Sequence, residues 1–189
     1  MAELGPRFEA ALSYATRLHA DQLRKSTTIP YISHLLGVAS LVIEAGGDED
    51  EAIAALLHDS VEDQGGAATL RLIKRRFGAR VGEIVAGCSD TDATPKPPWR
   101  ARKKAYLKHL KHEESPSIRL VSLADKLHNA RAILSDLRNE GSGVWDRFNA
   151  QKRDQLWYYR RLADTFLALD KTPMAEELDR VVSKIERLA

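Results

Sequence analysis

The sequence predicts an all-α protein, a compact multi-helix bundle. Apolar residues recur about every 3.6 positions along most of the chain, and no segment of useful length alternates as a β-strand does. The hydrophobic content of 43% and the charged content of 30% are typical of a globular protein. A length of 189 residues suits one core, so we expect residues 1–189 to form a single domain.

Glycines and prolines divide this pattern into helices. Gly46-Gly47, Gly65-Gly66 and Gly78 are expected to end helices, and Pro116 suits a first helical turn. Three prolines in Ser89–Pro98 predict a loop. The expected helices are, in chain order, residues 7–24, 31–45, 48–63, 69–77, 80–88, 99–112, 115–139, 145–169 and 174–188.

Composition also excludes several classes of protein. Cys88 is the single cysteine, so a disulfide within the chain and a cysteine-rich zinc cluster are both excluded. The first residues lack the apolar core of a signal peptide, and no apolar run approaches a membrane span. We therefore expect a cytoplasmic location and no membrane partner. The net charge of +2 gives no argument for nucleic acid, which makes a nucleic-acid partner an unfavoured hypothesis.

The strongest chemical signal is the pair His58-Asp59 at the end of the apolar segment 52–57. Two adjacent ionisable groups at a buried position are costly unless something compensates them, and a divalent metal ion is one such compensation. Glu62 and Asp63 follow one helical turn later on the same face. The alternative is a charged helix end beside the glycines that follow.

Two further residues strengthen the metal hypothesis. His34 begins the second predicted helix, where a polar residue at a helix start is the alternative. Asp125 interrupts a helix rich in Leu, Ile, Val and Ala, where an acid requires a partner. That partner is either a buried salt bridge or a metal ion. Imidazole and carboxylate together suit manganese or iron(II).

The order His, His-Asp, Asp resembles the signature of the HD phosphohydrolase superfamily. That resemblance implies an HD-type helical fold in which four residues ligate one divalent ion: His34, His58, Asp59 and Asp125. The resemblance is closer still to the Rel/SpoT-type alarmone hydrolases, over roughly residues 7–135. The motifs that carry it are LRKSTTIPYISH (23–34), AALLHDSVED (54–63), FGARVGEIV (77–85), SDTD (89–92) and LADKLHNAR (123–131).

The resemblance implies removal of the 3′-diphosphate from guanosine tetraphosphate or pentaphosphate (ppGpp or pppGpp), with Mn²⁺ as the usual cofactor and Fe²⁺ or another transition ion left open. It implies that Glu62 and Asp63 position and activate the attacking water. It also implies substrate contacts from Arg24, Lys25, Lys126 and Asn129. The length leaves no room for a synthetase domain, so the chain resembles a stand-alone small alarmone hydrolase.

Other hypotheses stay open at this point. One is an HD phosphatase for another nucleotide, such as a deoxynucleotide or the 2′-phosphate of NADPH. Another is a non-catalytic nucleotide-binding module, and assembly into a homo-oligomer is also open. The basic stretch 96–104 is interpreted as a solvated helix or a flap over the substrate rather than a nucleic-acid surface. Residues 140–189 are expected to add C-terminal helices, in which Trp157, Tyr158 and Tyr159 pack in a core or interface.

Overall fold

The computed structural model describes residues 3–89 and 97–189. These residues form ten α-helices and one 3₁₀ helix, without a β-strand, which confirms the all-α prediction. Most of the predicted SDTD loop, Asp90–Asp92, and Lys96 lie outside the described residues. The α-helices are α1 Pro6–Leu18, α2 Ile32–Glu44, α3 Glu49–Leu57, α4 Ser60–Asp63, α5 Gly66–Phe77, α6 Ala79–Cys88, α7 Trp99–His112, α8 Pro116–Glu140, α9 Lys152–Leu169 and α10 Pro173–Leu188, with the 3₁₀ helix Gly141–Arg147 between α8 and α9.

Residue contacts divide the chain into two compact units. The first unit contains Met1–Lys96 and Glu114–Ala124, and the second contains Pro97–Glu113 and Asp125–Ala189. Helix α8 begins in the first unit and continues in the second. The expectation of a single domain over 1–189 stays a prediction.

The first unit is built around α3. Every residue of the segment 52–57 is fully inaccessible to solvent, because α1, α2 and α6 all pack against α3. A helix that is apolar on all sides is stable only when it is surrounded in this way. The packing therefore carries the residue that follows, His58, into the interior of the unit.

Local chemistry fixes the start of α3. Gly46 adopts the left-handed conformation at φ +85°, which ends α2 without the steric cost of a side chain. Asp48 and Glu51 then form a reciprocal capping box: the Asp48 carboxylate accepts from the Glu51 N–H at 3.0 Å, and the Glu51 carboxylate accepts from the Asp48 N–H at 2.8 Å. Partial burial alone would raise the pKa of Asp48, but the hydrogen bond from the Glu51 N–H and the contact with Arg80 lower it below its ordinary value.

The three largest differences from the predicted helices lie in α1, at His58-Asp59 and before α9; the predicted start at residue 69 is also wrong, since α5 begins at Gly66. Helix α1 ends at Leu18 instead of continuing to residue 24, because the chain there turns back and pairs Leu23 with Pro30 in an isolated antiparallel bridge. The predicted helix 48–63 is interrupted at His58-Asp59 and becomes α3 and α4. The predicted helix from residue 145 begins only at Lys152, because the tighter 3₁₀ winding of residues 141–147 buries Trp145.

In the second unit, α9 packs against α7 and α10. Tyr158 and Tyr159 are buried, as predicted, whereas Trp157 is half-buried. Arg160 ties α9 to α10, since its guanidinium donates to Glu186 at 2.6 Å and to Asp179 at 2.6 Å. These hydrogen bonds raise the pKa of Arg160 above its ordinary value, and the bond with Glu186 has the largest effect.

The basic stretch predicted on α7 has several different environments. Arg100 forms an ion pair with Asp154, and the Lys103 ammonium lies 5.1 Å from the centre of the Tyr158 ring. Lys104 is exposed. Among the described helices, none combines the length and the apolar character needed to cross a membrane.

Replacement of the α3 cap tests this account of the fold. We expect Asp48→Ala to lower the free energy of unfolding by about 1 kcal/mol, because the Glu51 N–H loses its acceptor. For a chain of this size the melting temperature should fall by about 2–4 °C in a thermal denaturation monitored by circular dichroism.

The matched control is Asp48→Asn, which keeps a cap acceptor but removes the charge. It should retain most of the stability, because the ion pair with Arg80 is exposed and screened by solvent. Since the folded pKa of Asp48 is lowered, the advantage of the native residue over this variant should be complete above its ordinary pKa of 3.8. It should be lost as the pH falls through the folded pKa. Equal destabilisation by both substitutions would contradict the cap.

Candidate metal centre

The end of α3 sets the orientation of His58. Its Nδ1 lies 2.8 Å from the carbonyl oxygen of Ala55, which can only accept a hydrogen bond. Nδ1 therefore carries the proton, and in the neutral ring Nε2 is left with its lone pair. That Nε2 lies 3.0 Å from Oδ2 of Asp59.

A second imidazole meets the same carboxylate oxygen. His34 lies in the first turn of α2 and is fully buried, and its Nε2 lies 3.6 Å from Oδ2 of Asp59. The two imidazole rings approach edge to face, with centroids 5.2 Å apart. The ligand atoms of His34, His58 and Asp59 all lie within 4.8 Å of one another. The structure thus brings together three of the four predicted metal ligands.

The chemistry of these donors fits a divalent cation. Imidazole nitrogens and carboxylate oxygens are ligands that divalent transition ions take in proteins, and a cation among them offsets the cost of burying such polar groups together. Ligands of a small divalent ion with bonds of about 2.1 Å lie about 3 Å apart when adjacent. The spacings of 3.0 and 3.6 Å at Asp59 match that value. Nitrogen with oxygen is the donor set of manganese, iron or zinc.

Tyr31 supports the carboxylate. Its hydroxyl donates to Oδ2 of Asp59 at 2.5 Å, and its ring stacks on the buried ring of His19 with centroids 5.4 Å apart. The sequence alone does not single out Tyr31, although this residue lies three positions before His34 in the motif PYISH. The phenol restrains the side chain that both imidazoles face.

The predicted substrate residue Arg24 lies against this support. Its guanidinium carbon is 5.8 Å from the centre of the Tyr31 ring. Lys25 is exposed. The bend that carries both residues is held by two backbone hydrogen bonds, from Arg24 N–H to Ile29 at 2.8 Å and from Tyr31 N–H to Gln22 at 2.9 Å.

Glu62 and Asp63 lie on the short helix α4. The helix restarts at Asp59, since the Asp63 N–H donates to the Asp59 carbonyl at 3.0 Å. The Asp63 carboxylate is exposed and accepts from the Gln22 amide at 2.9 Å, while Glu62 is half-buried. Gln22 was also missed by sequence analysis, because its contact with Asp63 joins residues far apart along the chain.

Asp125 belongs to the second unit and has a partner there. Its carboxylate accepts from the Lys126 ammonium at 2.6 Å and from the Asn129 amide at 2.5 Å. Burial alone would lower the pKa of Lys126, but the carboxylate raises it well above its ordinary value. The salt bridge, one of the two partners considered for this acid, is therefore present. A metal-binding role for Asp125 stays a prediction.

Comparison with known proteins places this geometry in a family. A family model described as "HD domain" matches residues 11–156. The guanosine-3′,5′-bis(diphosphate) 3′-pyrophosphohydrolase MESH1 of Xenopus tropicalis is 41% identical over 126 residues, covering 65% of this chain and 67% of that protein. Human MESH1 is 39% identical over 135 residues, covering 70% and 72%. The Aquifex aeolicus enzyme named guanosine-3′,5′-bis(diphosphate) 3′-pyrophosphohydrolase is 37% identical over 125 residues, but this chain covers only 17% of it.

Solved structures agree. A metazoan ortholog of SpoT, described as hydrolysing ppGpp, matches with a TM-score of 0.78 and 26% identity, over 97% of this chain and 98% of that one. A Listeria monocytogenes protein matches with a TM-score of 0.72 and 28% identity, over 82% and 99%. The resemblance to HD and SpoT-type proteins is confirmed. The family model spans more than half of the sequence, and the chain belongs to the HD domain family.

Proposed function

We propose that this chain is a metal-dependent hydrolase that removes the 3′-diphosphate of guanosine tetraphosphate or pentaphosphate. Water is consumed, and the products are pyrophosphate with GDP or GTP. The observation that carries the proposal is the convergence of His34, His58 and Asp59 on one point. It occurs in a chain about 40% identical to proteins named as 3′-pyrophosphohydrolases of this nucleotide.

The proposed metal ligands are His34, His58, Asp59 and Asp125. The membership in the HD family and the His-His-Asp cluster support a divalent ion. Mn²⁺ is our proposal among the transition ions, because its preference for oxygen suits two carboxylates beside two imidazoles. When bound, such an ion supplies a Lewis acid for phosphate oxygens and acidifies water.

The protein's own acids are proposed to handle the proton. Glu62 is half-buried on α4, four residues after His58, and we assign it as the general base that accepts a proton from the attacking water. Asp63 is assigned to orient that water, and Gln22 holds the Asp63 carboxylate at 2.9 Å. Tyr31 restrains Asp59 at 2.5 Å, so that the carboxylate keeps its direction.

Four side chains are proposed to bind the substrate. Arg24 can contact a phosphate with two parallel hydrogen bonds, and the exposed Lys25 offers a point charge beside it. Lys126 and Asn129 are both oriented by hydrogen bonds to the Asp125 carboxylate.

The cytoplasmic location and the assembly into a homo-oligomer stay predictions.

Metal binding provides a direct test. We expect Asp59→Asn to weaken Mn²⁺ binding at least tenfold in isothermal titration calorimetry, because the amide lacks the negative charge of the carboxylate that both imidazoles face. Asp21→Asn, at an exposed acid of the same unit, should bind the ion as the native protein does. Unchanged Mn²⁺ binding by the Asp59→Asn variant would show that the ion does not bind at this cluster.

The support of Asp59 by Tyr31 leads to a separate prediction. Tyr31→Phe removes only the hydroxyl, and loss of such an outer hydrogen bond commonly reduces metal affinity or activity about 10- to 100-fold. The measurement is Mn²⁺ affinity together with kcat. Tyr14→Phe, at a buried tyrosine of the same unit, is the control and should change neither quantity. If both variants behave alike, the hydroxyl of Tyr31 has no special role.

A nucleotide panel tests the substrate. With Mn²⁺ present, guanosine tetraphosphate should be hydrolysed to release pyrophosphate, and its kcat/KM should be higher than that of NADPH or of any deoxynucleoside triphosphate. Glu62→Gln should lower kcat by about 10²–10⁴-fold while KM changes little, as expected for loss of a general base. Glu83→Gln, at an exposed glutamate, is the control. A higher kcat/KM for NADPH or a deoxynucleotide would replace the proposed substrate.

A further inference from the structure

A cavity of about 500 Å³ lies between α7 and α9, entirely within the second unit. That volume is in the range of small-molecule sites in proteins. Four of the seven residues that line it are cationic. The lining residues are Lys104, Leu107, Lys108, Lys111, Trp157, Arg161 and Thr165. None of them belongs to the proposed metal centre or to the proposed substrate contacts.

The cations are arranged in a row. Lys104, Lys108 and Lys111 lie on one face of α7, at positions i, i+4 and i+7, and the rise over these seven positions is about 10 Å. Arg161 faces the same cavity from α9. The row is about as long as the phosphate chain of a nucleoside polyphosphate.

The acids of this unit do not neutralise that row. Within the described ranges 3–89 and 97–189, none of the four cations has an acidic side chain within ion-pair distance. Two neighbouring cations are paired instead: Arg100 with Asp154, and Arg160 with Asp179 and Glu186. Arg160 is paired with these acids, whereas Arg161, the next residue on α9, presents its positive charge to the cavity.

The floor of the cavity is aromatic and apolar. Trp157 is half-buried, Leu107 is buried, and Thr165 is buried with its hydroxyl donating to the carbonyl of Arg161 at 2.7 Å. The indole already accepts a planar group, since the guanidinium carbon of Arg100 lies 4.9 Å from its ring. Nucleobases stack on tryptophan in the same manner. A row of lysines that served only as a solvent-exposed helix face would not require an aromatic and apolar surface beside it.

We propose that this cavity is a second nucleotide site, which binds a nucleoside polyphosphate without cleaving it. The base stacks on Trp157, on the face that Arg100 does not cover, and the phosphates contact Lys104, Lys108 and Arg161. The short row of cations and the small net charge of +2 favour one nucleotide over a nucleic-acid strand. The proposal does not depend on hydrolysis at the metal centre.

The test uses the full chain in EDTA, so that no metal ion contributes. ATP and GTP are titrated by calorimetry and by tryptophan fluorescence, and quenching is expected because the base covers an indole. Lys108→Glu and Arg161→Glu should each weaken binding at least about tenfold, equivalent to about 1.4 kcal/mol. Lys184→Glu, an equal charge reversal at an exposed position of α10, should bind as the native protein does.

Three comparisons decide the outcome. Trp157→Phe should abolish the quenching and weaken ATP binding, while inorganic triphosphate should bind the native protein more weakly than ATP and leave the fluorescence unchanged. If a charge-reversal variant fails to fold by circular dichroism, Lys108→Gln replaces it. Equal weakening by Lys184→Glu, or equal affinity for inorganic triphosphate, would overturn the nucleotide site. Tighter binding of polyuridine RNA, lost in the same variants, would overturn it in favour of nucleic acid.

Discussion

The buried imidazoles of His34 and His58 face a single carboxylate oxygen of Asp59, and this contact constrains the whole first unit. The fully inaccessible segment 52–57 of α3 carries His58 inward, and Asp59, the next residue, lies beside both rings between α3 and α4. Two buried imidazoles and a carboxylate gathered at one point are costly to desolvate, and a bound cation offsets that cost. Packing and chemistry therefore impose the same requirement on this helix end.

The sequence predicts those features whose energetic cost is visible locally. An apolar run followed by His58-Asp59 indicates a buried polar site, because no surface position needs six consecutive apolar residues. Asp48 followed by Glu51 is the residue pattern of a capping box, and the structure contains that cap at the start of α3. Motif resemblance supplied His34. The sequence therefore predicts all three residues that meet in the structure.

What was missed depends on contacts between distant residues. The end of α1 at Leu18 cannot be inferred from residues 19–24, since their helix-compatible pattern is overridden by the pairing of Leu23 with Pro30. The hydrogen bond between Tyr31 and Asp59 joins residues 28 positions apart. The lysines of α7 are evident as a basic helix, but Arg161 and Trp157 come from another helix, so their common cavity appears only in the fold.

The hydrogen bond between His58 and the Ala55 carbonyl has a consequence for ion capture. The acceptor is a backbone atom of the same helix, three residues earlier, so the ring direction is set when α3 forms. The imidazole thus loses its rotational freedom during folding and has little left to lose when a cation arrives. The donor geometry is preorganised, and the conformational entropy cost of binding is correspondingly small.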